Sequence, residues 1–275
     1  MARATDPVRR PTRTPVRWLL LVALLGARPG ARAGAQEPVP PPAQPLPLPP
    51  ALAIVGDTVP RLERPNGALL RAGSTVYDLT ATRGGQTSPL GVRTVEVTET
   101  SLGGLPSWLL AESRTGTVLT TTDSLVVSRA ELVPERWAAT SGTAQLGASF
   151  TRDSLYAALQ SYQGRTAFTL PVGPTLLVTP AMVERVVELL PLRPGYRAAT
   201  AIAMVELGSP RIVPAELAVD REETVQIAGL PVDCWVVTLR AGASEERLWV
   251  AKAPTRVVRT EQAIAGGLLT ATARP

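Results

Sequence analysis

The sequence predicts a mainly β fold, a curved antiparallel sheet or incomplete β-barrel with one amphipathic helix packed on it. Three observations carry that expectation. Apolar and polar residues alternate with period two through many short runs rich in Val, Thr and Trp, bounded by Gly, Pro, Ser and Asp. The links between these runs are too short for helical crossovers, so neighbouring strands pair antiparallel. One segment alone switches to helical spacing.

The chain opens on an export signal. Arg3, Arg9, Arg10, Arg13 and Arg17 precede the unbroken apolar run Trp18 to Leu25, and the small-residue stretch Ala31-Arg32-Ala33-Gly34-Ala35 offers an A-x-A cleavage pattern twice. Eight apolar residues rise only about 12 Å as a helix, against a hydrocarbon core of roughly 30 Å. We therefore read residues 1–35 as a cleaved signal peptide rather than a membrane anchor. The expected destination is the periplasm where the cell has two membranes, and the medium otherwise. Residues 36–56 read as a Pro-rich linker, with eight prolines among the thirteen residues Pro38 to Pro50. That run is an extended polyproline-II spacer of about 40 Å. Residues 57–275 then form a single β-rich domain.

Within this domain the expected strands are 75–80, 93–98, 108–113, 117–121, 125–129, 132–138, 145–151 and 166–170, then, beyond the helix, 196–206, 215–220, 224–228, 234–240, 247–251, 256–262 and 268–273. The helix begins where Thr179 can cap and Pro180 suits the first turn. Met182, Val183, Val186, Val187 and Leu190 follow on one side until Pro191 stops it, with Glu184, Arg185 and Glu188 on the other. An internal echo runs through the domain. Gly104-Leu105-Pro106-Ser107-Trp108 returns as Gly229-Leu230-Pro231 followed by Cys234-Trp235, near an offset of 125 residues, and the strands bearing Arg136 and Arg259 follow in each copy. The echo predicts a repeated meander, two copies flanking one curved sheet.

The runs Leu190-Pro191-Leu192-Arg193-Pro194-Gly195-Tyr196, Ala228 to Val237, Arg247-Leu248-Trp249-Val250-Ala251 and Arg256-Val257-Val258-Arg259 resemble a family of exported bacterial proteins known only as a domain of unknown function. The resemblance covers roughly residues 60–273. It implies a fold like that of the lipoprotein carriers LolA and LolB, an incomplete antiparallel barrel with helices covering its open side. It implies a hydrophobic ligand, a lipid or acyl chain, and no catalytic residues.

Composition narrows the chemistry. The 275 residues include no His, one Cys and one Lys, Lys252. Histidine-based triads and His-built metal sites are thereby excluded, as are an internal disulfide and a Walker-type phosphate loop. The net charge of +5 belongs to the signal: without residues 1–35, which hold seven Arg and one Asp, 21 basic residues face 22 acidic ones. Nucleic acid is not an expected partner. Carboxylate-only hydrolysis stays conceivable through Glu222-Glu223, Glu245-Glu246 or Asp220, but such charges at strand ends are ordinarily solvated. Lys252 reads as an edge charge and Cys234 as a small buried hydrophobe. Trp108, Trp235 and Trp249, each flanked by aliphatics, are either core or the lining of a groove for an apolar ligand. No cofactor or metal is expected, and no catalytic residue. The leading expectation is a non-enzymatic envelope protein that binds or carries a hydrophobic ligand in a half-barrel. The alternative is a structural or assembly module engaging an envelope protein.

Overall fold

The computed structural model describes residues 59–116, 120–173, 176–204 and 211–275. The signal peptide and the Pro-rich linker, residues 1–56, lie outside the described residues. Six strands form a first meander: β1 (Gly73–Arg83), β2 (Gln86–Leu102), β3 (Leu105–Gly116), β4 (Thr121–Ser128), β5 (Pro134–Ser141) and β6 (Ala144–Phe150). β7 (Ser154–Ser161), β8 (Gly164–Pro171), the two-residue β9 (Leu176–Leu177) and helix α1 (Pro180–Leu189) follow. A second meander comprises β10 (Arg197–Met204), β11 (Arg211–Ile227), β12 (Leu230–Ala241), β13 (Ser244–Lys252), β14 (Thr255–Ile264) and β15 (Gly267–Ala273). All fifteen strands lie in one sheet, ordered β8-β7-β6-β5-β4-β3-β2-β1-β15-β14-β13-β12-β11-β10-β9. The mainly β architecture with one helix is as the sequence predicts.

The internal echo is structural. β2 and β11 each have 17 residues, β3 and β12 each have 12, and both pairs are offset by 125. Even a register fault is duplicated. The β4–β5 ladder slips between Val126 and Val127, opposite Arg136, and the β13–β14 ladder slips between Trp249 and Val250, opposite Arg259. A bulge bends and twists its strand, so the two copies curl at the same place. The copies join head to tail, because β1 of the first pairs with β15 of the second.

The sheet curls without closing. α1 packs against β3 on one side and against β13 and β14 on the other. Five inter-strand spacings separate β3 from β13, about 24 Å along the sheet, yet a helix is only about 10–12 Å across. The sheet must wrap around the helix to touch it from both sides. The two sheet edges also come near each other, since only four residues lie between Pro171 of β8 and Leu176 of β9, a reach of at most about 18 Å over five residue steps.

A strap completes the enclosure. Leu62 N donates to Ala199 O and Ala199 N to Pro60 O, both at 2.7 Å, tying the strap to β10. Gly67 N donates to Ala130 O at 2.8 Å, beside the β4–β5 turn. Residues 60–70 thus bridge the two wings across the mouth of the half-barrel, with Leu62 and Leu70 buried in the core. Gly67 has to be glycine, because a Cβ there would lie 2.4 Å from Arg129 O.

Strand bounds depart from expectation in several places. Segments 215–220 and 224–228 are one long strand, β11, with a register shift between Val219 and Arg221. β7 was not anticipated, and segment 125–129 begins earlier, at Thr121. The helix is capped as expected, Met182 N donating to Thr179 Oγ1 at 3.1 Å, but its polar side is not solvated. Glu184 and Arg185 are buried, because the sheet surrounds the helix rather than lying under it.

The repeated hairpin turns give one stability prediction. In the first copy Gly103 and Gly104 have φ of 59° and 83°; in the second the same places hold Ala228 and Gly229, at 51° and 79°. Ala228 is held in a left-handed conformation that costs a residue with a Cβ about 1–2 kcal/mol. Ala228→Gly is expected to stabilise the protein by up to about 1 kcal/mol, the rest being offset by glycine's greater chain entropy. The urea unfolding midpoint should rise with the slope unchanged.

Candidate functional site

Alternation along β1, β2 and β3 points Tyr77, Arg93 and Glu112 inward, beside the apolar Leu79, Val95 and Leu110. There they meet Glu184, carried inward by α1. Arg93, 2% exposed, bonds through one terminal nitrogen to Glu184 and through the other to Glu112 at 2.7 Å. Its guanidinium lies over the Tyr77 ring, 5.1 Å from the centroid. Glu112 also accepts from Arg114 Nε at 2.6 Å. The Tyr77 hydroxyl lies 3.3 Å from Glu184 Oε2 and 3.1 Å from Val257 O. One turn along the helix Arg185 pairs with Glu188 at 2.8 Å, and Glu188 accepts the Val257 backbone N–H, also at 2.8 Å. This network fastens α1 to β1, β2, β3 and β14.

Burial and charge act on these groups in opposition. Burial alone would raise Glu112, but Arg114 and Arg93 outweigh it and hold its pKa down at about 2. Burial likewise works against charge on Arg93, yet Glu112 and Glu184 outweigh it and push its pKa well above the ordinary value. Burial wins at three other carboxyls. Asp123, which accepts from Trp137 Nε1 at 3.0 Å, is pushed up to about 7 by burial and then by Glu112. Glu188 rises to about 7 through burial despite Arg185. Glu246 also rises to about 7, through burial and then the nearby Glu184.

These shifts fix a pH dependence. Asp123 and Glu188 titrate near 7 in the folded chain but at 3.8 and 4.5 ordinarily. Between about pH 4 and 7 the folded state therefore holds more protons than the unfolded state, and stability falls as pH rises through that window. Glu112 acts in the reverse sense, contributing stability above 4.5 that is lost only as pH falls toward 2. We expect the thermal midpoint, followed by circular dichroism, to be higher at pH 5 than at pH 8. Glu188→Gln, which keeps an acceptor for the Val257 N–H, should flatten the dependence. An identical midpoint at both pH values would remove the assignment.

Two small cavities lie beside α1 among the described residues. One cavity of about 20 Å³ lies at the first turn of α1, lined by Arg93, Arg114, Pro180, Glu246, Thr260 and Gln262 among others. A second of about 20 Å³ lies under the strap, between Leu62, Arg64, Leu132, Leu176, Met182 and Val186. Each has room for about one water, whereas ligand clefts run to roughly 300–1,000 Å³. The concave face is aliphatic, with Leu110, Leu125, Leu155, Leu217, Leu239 and Leu248 among its buried residues, and α1 covers it with Met182, Val183, Val186 and Val187.

The sequence candidates fall in separate places. Trp108 is buried in the main core, its Nε1 donating to Gly67 O at 2.9 Å and Arg129 stacking over its ring. Trp235 is half-buried, with Lys252 Nζ 4.1 Å from its ring centroid. Trp249 is buried in a second cluster under Arg259. Val236, the chain neighbour of Trp235, opposes Trp249 across β12–β13, so Trp235 and Trp249 leave the sheet on opposite faces. The three are not brought together. Lys252 pairs with Glu222, Glu223 with Arg221, and Glu245 with Arg240 and Arg247. Only Glu246 of those acids turns toward the inner polar cavity. Burial, then Asp233 and Glu223, push the Cys234 thiol up to about 11.

A single curled, unclosed meander sheet, fastened to one helix among the described residues by an internal ion network, defines the class. No protein-family model matches the chain, and no curated protein does. Solved structures do match. One is a β-barrel-like protein of the domain of unknown function DUF1849 from Brucella abortus, with 13% identity, 74% of this chain and 96% of that chain covered, and a TM-score of 0.47. Another is the hypothetical lipoprotein YmcC from Escherichia coli (K12), with 15% identity, 72% and 85% covered, and a TM-score of 0.32. Both are uncharacterised, as is the exported family that the sequence resembles.

Proposed function

We propose that the protein is an exported, non-enzymatic component of the cell envelope that acts by docking, as a structural or assembly module. The observation that carries this reading is the covered interior: among the described residues α1 occupies the concave face, and the two cavities beside it each hold about one water. Export is supported by the Arg-rich start, the short apolar run and the A-x-A pattern before residue 36. A non-enzymatic role is supported by the lack of His and by charges that are spent on one another around α1. The Pro-rich run ending at Pro50 would serve as a stiff spacer at the start of the exported chain. Purified protein should carry no stoichiometric lipid by mass spectrometry and leave hydrophobic fluorescent probes dark. One acyl lipid per chain would overturn this reading.

A second reading, carriage of a lipid or acyl chain, is favoured by the aliphatic lining of the concave face. It requires α1 or the strap to move aside, and lipid in the purified protein would establish it.

A further inference from the structure

The rim of the half-barrel carries a surface that the docking reading leaves without a partner. Strand directions alternate through the antiparallel order, so β2 and β11 run the same way and their following turns lie on the same end of the sheet. β1 begins at that end, which places the Gly67–Leu69 turn there as well. Leu69, Leu105 and Leu230 project from these three places, 64%, 66% and 66% exposed. They are the three exposed leucines among the large exposed hydrophobics of the described residues; the other two, Tyr156 and Tyr162, are not leucines, and Tyr162 sits at the turn on the opposite end.

Both hairpins stand out from the rim. β2 pairs with β1 only as far as Val97, leaving its last five residues beyond β1, and β12 pairs with β13 only from Cys234, leaving four residues beyond β13. The turns themselves carry no charge, residues 100–107 and 224–232 holding no Asp, Glu, Lys or Arg; the charges on the projecting stretches lie behind them, Glu99 paired with Arg129 and Asp233 accepting from Thr224. At each tip two aliphatics face across the hairpin, Leu102 with Leu105 and Ile227 with Leu230. Six strand spacings separate the two hairpins around a sheet of fifteen, so the tips flank the mouth from different sides.

We propose that this rim docks on a lipid bilayer, with Leu105 and Leu230 entering the interface and Leu69 joining them from the same end of the sheet. A folded protein partner would need one continuous apolar patch, and the leucines are isolated points on separate projections. A fluid apolar medium accepts such points whatever their spacing. Turns whose outermost residues are uncharged, with Glu99 and Asp233 set behind the leucines, avoid the cost of carrying an ion into that medium. The proposal rests on the docking reading and names its partner.

The test is co-sedimentation of the full chain with vesicles of phosphatidylethanolamine and phosphatidylglycerol, wild type beside L105S/L230S, so that the N-terminal residues contribute equally. Each buried leucine carries enough transfer energy that losing it lowers partitioning about tenfold or more; the double variant should bind correspondingly less, and Tyr162→Ser should bind as wild type. A spin label at position 105 or 230 should be shielded from a water-soluble relaxant by vesicles, and one at 162 should not. Equal sedimentation of wild type and L105S/L230S, or no sedimentation of either, overturns the proposal. Leucine-dependent self-association in solution without vesicle binding overturns it in favour of a second copy. A lipid-free protein that ignores vesicles still leaves the docking reading standing, whereas lipid held inside the barrel would fail that reading alone.

Discussion

Arg93→Ala is expected to lower the unfolding free energy by about 3–5 kcal/mol, the cost of leaving a buried charge without its partner. Arg93 is the hinge of the interior network. It joins Glu184 of α1 to Glu112 of β3, and Glu184 is 1% exposed, so water cannot take the place of the guanidinium. Glu112 keeps Arg114 at 2.6 Å; Glu184 keeps only the Tyr77 hydroxyl at 3.3 Å and Arg185 at 3.6 Å. The damage should therefore centre on α1. The double variant Arg93→Leu/Glu184→Leu removes both charges and should recover most of the loss, because replacing a buried pair by apolar side chains is often neutral or stabilising. Urea unfolding of the two single variants and the double variant measures the coupling. Single variants that each cost under about 1 kcal/mol would mean that the pair is hydrated and does not hold the helix.

The repeat was legible because the Gly-Leu-Pro turn, the strand Trp and the Arg after a bulge recur at one offset, and turn chemistry and alternation are local properties. Strand β7 was missed for a local reason too. Ser154-Leu155-Tyr156-Ala157-Ala158-Leu159 is rich in helix formers, and only its pairing between β6 and β8 makes it a strand. The network was half legible. Arg93 and Glu112 share the parity of Val95, Val97, Leu110 and Trp108, so a charge at an inward position was visible in each strand. What sequence could not supply is Glu184. On an amphipathic helix its side should face water, and it faces the sheet because the sheet continues from β3 through β1 and β15 to β13. That closure depends on the β1–β15 pairing, between residues almost two hundred positions apart, which no local pattern encodes.

Trp108→Ala is the other large effect, expected at about 3–5 kcal/mol. Trp108 is 1% exposed and packs in the core with the strap leucines Leu62 and Leu70. Its Nε1 donates to Gly67 O, so truncation leaves a cavity and strips that carbonyl of one of its two donors, the Leu70 N–H remaining at 3.1 Å. Loss of that anchor loosens the middle of the strap, which keeps the Gly67 N–H bond to Ala130 O, while Ala199 still holds its start. Trypsin should consequently cut after Arg71, which precedes Ala72, sooner than in the wild type, under conditions where β-sheet circular dichroism is unchanged. Trp108→Phe keeps most of the apolar volume and loses the bond; it should cost less yet show the same early cleavage. Trp235→Ala, at a half-buried site braced by Lys252, should lose much less stability and leave cleavage at the strap as it was. Uniform losses across Trp108→Ala and Trp235→Ala, with no change at the strap, would mean that the tryptophans only fill volume and that the mouth is closed by something other than the Trp108–Gly67 contact.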